Sequence, residues 1–318
     1  MHLADERALA TLAKLQRTRS QPPTTFPYTP LRAGNGVLVG FEIEVPWRAY
    51  FPDLWKKYLC AGSRTFSDLS RTEQSALSNE CSLQERSLLP RLQATQACGI
   101  KRGRDHYWEF AFPPVHDLTI ALCIMDSLID AELLPWGRWS LQATISGVKP
   151  GRDAFVALLL LELLFVRKVR IQQGLSGHGA WARKGRGGLM VKGPHLLEYN
   201  APSALELRSL ELPETLGECR KLFATIAHLT HFLTPLGMKA PEWQSARSAI
   251  KEMLASHDLP FSEWGHPKNL SAVWDRYIEH FDVLRTEALH IARNHLGIAI
   301  STSVNTTTKE ATRLPFSL

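Results

Sequence analysis

The chain of 318 residues is 44% hydrophobic, 21% charged and carries nine Trp, which is enough to bury a substantial core and excludes long disorder away from the two ends. A formal net charge of +6 with a pI near 9.1 is too small a surplus over this length to mark a nucleic-acid or anionic-surface binder. No recognition-helix, zinc-finger or aromatic RNA-binding signature accompanies it, so no nucleic-acid partner is expected.

In chain order, residues 1–17 read as a short amphipathic helix, polar and acidic at its start where a secretory signal would be basic and then apolar. A Pro-rich connector follows through Pro22-Pro23 and Pro27 to Pro30. Gly40 to Val45 is a strand with Val37, Val39, Phe41, Ile43 and Val45 on one side and Glu42 and Glu44 on the other. Residues 52–97 read as helical, ending before a basic turn, Lys101 to Asp105. A second strand carries Trp108, Phe110 and Phe112 against Glu109, and Pro113-Pro114 breaks it ahead of a helix over 115–134.

Trp139 to Ser146 alternates Leu141, Ala143 and Ile145 with Ser140, Gln142, Thr144 and Ser146, and leads into a long helix over 152–173. Within that helix Ala154 to Val166 is too short to span a bilayer and contains Glu162, so it reads as buried and no membrane contact is expected. Gly174 to Gly188 is a loop with six glycines and the basic Arg183, Lys184 and Arg186. Short strands are expected at 189–191 and 196–199, then a strand with Leu205 and Leu207 alternating with Glu206 and Arg208. Beyond Pro213 the pattern is helical to about residue 300, with a loose Ser/Thr-rich tail. The expected organisation is a helix and connector over 1–32, a core over 33–212, a helical region over 213–300 packed on that core, and the tail 301–318. The five cysteines never form a C-x-x-C pair, which argues against a disulfide framework or zinc site and fits a reducing cytoplasm.

Four strands with one apolar and one acidic or small polar face predict an α+β fold, an antiparallel sheet backed by helices. A solvated sheet face would alternate in the same way. It usually mixes in lysines, however, and none occurs in the four runs. Glu42 and Glu44 start roughly 7 Å apart on neighbouring pleats. If Glu42, Glu44, Glu109 and Glu206 converge, hard oxygen ligands without thiolate select Mg²⁺ or Mn²⁺ over zinc, and magnesium held this way also takes phosphate oxygens. Arg208 shares the face of Glu206 and suits a phosphoryl group, or an ion pair with one of the acids. Gln142 and Thr144 are candidate contacts to nucleotide or substrate, and Arg183, Lys184 and Arg186 a basic lid over polyphosphate. The glycine loop matches neither phosphate-loop nor dinucleotide fingerprints, Gly174-Leu175-Ser176-Gly177 is no nucleophile elbow, and His228 with His231 on one helix reads as surface.

Gly40-Phe41-Glu42-Ile43-Glu44 resembles the opening G-x-E-x-E strand of the carboxylate-amine ligases, the group of glutamate-cysteine ligase and the amidoligases, distantly similar to glutamine synthetase. Asp105 with Glu109-Phe110-Ala111-Phe112-Pro113-Pro114 resembles their second acidic strand, and Tyr199-Asn200 with Leu205-Glu206-Leu207-Arg208 their late E-x-R strand. The resemblance spans roughly residues 36–212. It implies an antiparallel sheet curled into a funnel holding ATP and two or three Mg²⁺. Glu42, Glu44, Glu109 and Glu206 would be metal ligands, Arg208 the phosphate contact, and Glu44 and Arg208 the catalytic pair. The implied reaction is phosphorylation of a small-molecule or peptide carboxylate, then attack by an amine to form an amide. Where the family often carries S-G-x-H-x-H, this chain has Gln142 and Thr144. That departure leaves open a nucleotide-binding module without turnover, or another phosphotransferase at the same acids.

Overall fold

The computed structural model describes residues 3–17, 29–46, 49–59, 68–95, 99–102, 107–135, 137, 139–148, 152–168, 189–192, 203–213, 215–260 and 270–298. Strand β1 (Leu38–Pro46) sits inside a six-stranded sheet, between β3 (Tyr107–Ala111) and β4 (Ser140–Val148). Outside β3 lies β2 (Gly99–Arg102); outside β4 lie β6 (Ser203–Glu211) and then β5 (Leu189–Lys192), and every pairing is antiparallel. With β2 and β5 at its edges the sheet is open, and with eight helices among the described residues the protein is α+β, as the alternating strands predict.

The period-two pattern sets the face. Val39, Phe41, Ile43 and Val45 of β1, Trp108 and Phe110 of β3, Leu141, Ala143 and Ile145 of β4, and Leu205 and Leu207 of β6 are all buried. The helix α6 (Leu216–Phe232) meets this side, its Phe223 ring lying flat on Phe41 with centroids 4.0 Å apart and planes 2° from parallel. Each such ring removed from water contributes about 1.5–3 kcal/mol, so strand and helix hold each other in register through the aromatic pair.

Several boundaries differ from the sequence pattern, each for a local reason. The helical stretch from 52 divides into α2 (Pro52–Leu59) and α3 (Arg71–Thr95). Gly99-Ile100-Lys101-Arg102, expected to end a helix and open a basic turn, is strand β2, because Ile100 pairs with Phe110 and Lys101 with Glu109. The helix after Pro113-Pro114 starts only at Leu118: Val115 is still exchanging backbone hydrogen bonds with Val39, and the Asp117 carboxylate caps α4 (Leu118–Asp130) by accepting from Thr119 N. The long apolar helix is shorter than its sequence pattern, α5 (Arg152–Phe165). Arg285 donates to the carbonyls of Leu164 and Val166 just past its end, placing a cation where the helix dipole is negative.

Helix α1 (Leu3–Arg17) packs on α4, and the buried Asp5 carboxylate accepts from the backbone N–H groups of His116 and Asp117 at 2.7 and 3.1 Å. At the other chain end α7 (Pro241–Ser256) and α8 (Leu270–Leu296) pack on each other, and α8 also packs on α5. Its Tyr277 hydroxyl donates to Glu162 at 2.8 Å, both side chains being fully buried. One contiguous apolar cluster runs from Ala8 to Ile298. No helix among the described residues is long and apolar enough to cross a membrane.

Candidate carboxylate site on the second face of the sheet

The ladder fixes which polar residues stand side by side. Glu44 of β1 is directly opposite Glu109 of β3 on one side and Ser140 of β4 on the other; Ser140 is in turn opposite Glu211 of β6, and Glu109 opposite Lys101 of β2. One row across the sheet therefore reads Lys101, Glu109, Glu44, Ser140, Glu211. The next row contains Ala111, Glu42 and Gln142. The third contains Gly40, Thr144, Glu206 and Met190. Opposite Gln142 the register of β6 slips: Leu141 pairs with Leu210 but Ala143 with Leu207, so Arg208 and Ser209 together face one residue in a β-bulge.

Glu42 and Glu44 thus follow one another on β1, and Glu109 stands across the ladder from Glu44. Glu206 stands two strands from β1, about 10 Å away along the hydrogen-bonding direction. The side chains of Glu206 and Arg208 lie outside the described part of the protein, as do Arg183, Lys184 and Arg186 entirely. Among the described residues no three His, Cys, Asp or Glu side chains are arranged to hold a metal ion.

The polar face is not simply wet. Glu44 is 7% and Gln142 1% exposed, and Gln142 Nε2 donates to Glu44 Oε1 at 2.7 Å, a charge-assisted bond along the diagonal between rows. The other end of that amide is the anomaly. Gln142 Oε1 is buried and accepts no hydrogen bond among the described residues, a state that costs about 1–3 kcal/mol. Rotating the amide would set its oxygen against the Glu44 oxygens and lose this bond. Thr144 is half-buried beside it.

Three basic or acidic positions in this neighbourhood were not recognised from sequence. Lys101 enters the acid row because β2 is a strand. Glu211 enters it because the bulge restores its phase, and that signal was legible: buried leucines fall on 205 and 207 and then on 210 and 212, a slip of one residue. Arg167, just beyond α5, clamps Glu211 with two bonds of 2.6 Å. Other candidates fall away. His228 Nε2 bonds the Leu296 carbonyl and His231 Nε2 the Arg32 carbonyl, each at 3.0 Å, so both imidazoles tie α6 to distant backbone. Of the cysteines in the described residues, Cys81 and Cys219 are buried, Cys123 is half-buried, and none is in a disulfide.

The chain matches no family model, no curated protein and no solved structure.

Proposed function

We propose that this face of the sheet is the Mg²⁺-nucleotide site of a carboxylate-amine ligase of the glutamate-cysteine ligase and amidoligase type, similar in plan to glutamine synthetase. The carrying observation is the buried Glu44 and Gln142 pair: a carboxylate directly opposite Glu109, next to Glu42, with an amide oxygen beside it that lacks a donor. Like charges opposite one another on a ladder repel, and a cation offsets that cost. The donor set is hard oxygen throughout, which fits Mg²⁺ or Mn²⁺. Glu42, Glu44 and Glu109 would contribute to holding the ion. As they stand these three side chains do not by themselves form a metal-holding group, so Glu206 of β6, whose side chain lies outside the described part, would have to complete it. Magnesium-bound ATP would supply the transferable phosphoryl group that activates a carboxylate.

The remaining roles belong to the chain's own groups. Gln142 orients Glu44 through its Nε2 donor. Arg208, whose backbone stands at the bulge opposite Gln142, is the residue this reading assigns to a phosphate, through its fixed fork. Arg183, Lys184 and Arg186 retain their reading as polyphosphate contacts, and Thr144 as a nucleotide or substrate contact. The substrates are a small-molecule or peptide carboxylate and an amine. A second reading, a ligase-like module that binds nucleotide without turnover, is favoured by Gln142 and Thr144 standing on β4 where the resembled family often has histidines.

The test is ADP release by the purified protein with Mg²⁺ and ATP, screened across amino acids and peptides. The ligase reading expects release that depends on both a carboxylate and an amine and falls by roughly a hundredfold or more in Glu44→Gln. Nucleotide binding without release under any substrate pair supports the module instead. Substrate-dependent release that Glu44→Gln leaves unchanged removes this site from the reaction.

A further inference from the structure

Glycine inside a strand weakens it, because the unfolded chain loses more freedom and no side chain packs. Where the fold itself demands glycine, the reason is visible. A Cβ on Gly34 would lie 2.5 Å from the Thr230 carbonyl oxygen, and Gly147 combines a φ of +84° with a Cβ that would run into the Gly36 carbonyl. Gly40 has no such reason. It lies in the middle of β1, its φ is outside the left-handed range, and a Cβ there would meet Pro114 at 3.8 Å and the Phe112 carbonyl at 4.0 Å, ordinary van der Waals contact. Among the described atoms the fold accepts a Cβ at this position, and β-branched residues favour such a backbone.

Gly40 is also placed where a ligand would use the space. It is on the acid face, two residues before Glu42 and opposite Thr144. Along β1 and β4 that face changes character: Glu44 and Ser140, then Glu42 and Gln142, then the uncharged Gly40 and Thr144, with the acid Glu206 of β6 only on the far side of Thr144, then Leu38 and Ser146. A nucleotide has the same polarity, an anionic polyphosphate that needs cations at one end and an uncharged nucleoside at the other. Pro114, exposed beside Gly40, adds an apolar edge to the neutral end.

We infer that Gly40 is a specificity-determining residue, left bare so that the nucleoside end of a bound nucleotide can lie against the β1 backbone between Pro114 and Thr144 while its phosphates reach the level of Glu42 and Glu44. This rests on the nucleotide reading above and adds the direction in which the ligand lies. A branched side chain at this position occupies the seat without touching the acids.

The experiment compares wild type with Gly40→Val and, as a smaller probe, Gly40→Ala, by calorimetry with Mn²⁺ alone and with Mg²⁺ plus a non-hydrolysable ATP analogue, alongside thermal melting. The expected result is a melting temperature equal to or above wild type and unchanged Mn²⁺ binding in both variants. Affinity for the analogue should fall at least about tenfold in Gly40→Val and less in Gly40→Ala. A folded Gly40→Val that binds the analogue as wild type does overturns the inference while leaving the nucleotide reading standing. Should Gly40→Val not fold, wild-type affinity in a folded Gly40→Ala overturns it equally. A wild type that binds Mn²⁺ but no nucleotide analogue sinks the nucleotide reading itself.

Discussion

Gln142 concentrates the competing terms at the site. Its Nε2 bond to Glu44 belongs to the stronger, charge-assisted class, worth about 1.5–3 kcal/mol, whereas the unsatisfied Oε1 costs about 1–3 kcal/mol. Gln142→Leu removes the orphaned oxygen but also takes this donor from the buried Glu44, and is expected to cost about 1–3 kcal/mol. Gln142→Glu keeps the shape but sets a second carboxylate at hydrogen-bond distance from Glu44, where two like charges cannot both ionise cheaply. Denaturant titration at pH 7 should find it less stable than the leucine variant. The deficit should shrink on acidification, because the shared proton raises the folded-state pKa and the lost stability returns as that proton binds. Added Mn²⁺ should raise the melting temperature of Gln142→Glu if the acids form a cation site, and leave it unchanged if they do not.

At the scale of elements, the pleat, the glycines and the prolines of the sequence were sufficient to place β1, β3, β4 and most of β6, and with them Glu42 and Glu44 on one face of one strand. What they could not supply was pairing. Gly99 to Arg102 carries one apolar residue and reads as a turn; only the partner β3 makes it a strand. The burial of Glu44 and Gln142 was likewise hidden, since alternation assigns a face and says nothing of what covers it. The attachment of α1 is a third case, for Asp5 reaches backbone groups more than a hundred residues away. Asp5→Ala strands two N–H groups at the start of α4 and is expected to cost about 2–3 kcal/mol. It should make α1 the first segment released in limited proteolysis. By contrast Phe41→Ala, which empties the stack on Phe223, should cost about 3–5 kcal/mol and lower the unfolding midpoint without selective release of α1.

Across the whole molecule, the polar groups enclosed by the helical layer set its response to base. Burial pushes the Cys219 thiol up to about 12 from its ordinary 9.0. Tyr277 is raised well above 10.0, by burial first and then by the adjacent Glu162. Folded, both groups keep protons that the unfolded chain releases above about pH 9 and 10 respectively. Their contribution is complete below about pH 9 and is lost as pH rises toward 12. Melting temperature measured from pH 8 to 11 should fall, and fall less steeply in Tyr277→Phe and Cys219→Ala. The same enclosure links the order of synthesis to the order of folding. Helix α5 is apolar around nearly its whole circumference, and its Glu162 bonds Tyr277 of α8, the last helix described. A nascent chain that has not yet released residues 270–296 from the ribosome carries a greasy helix lacking one of its covers, with an acid stranded in its midst. Such a chain would depend on chaperone shelter until those residues emerge.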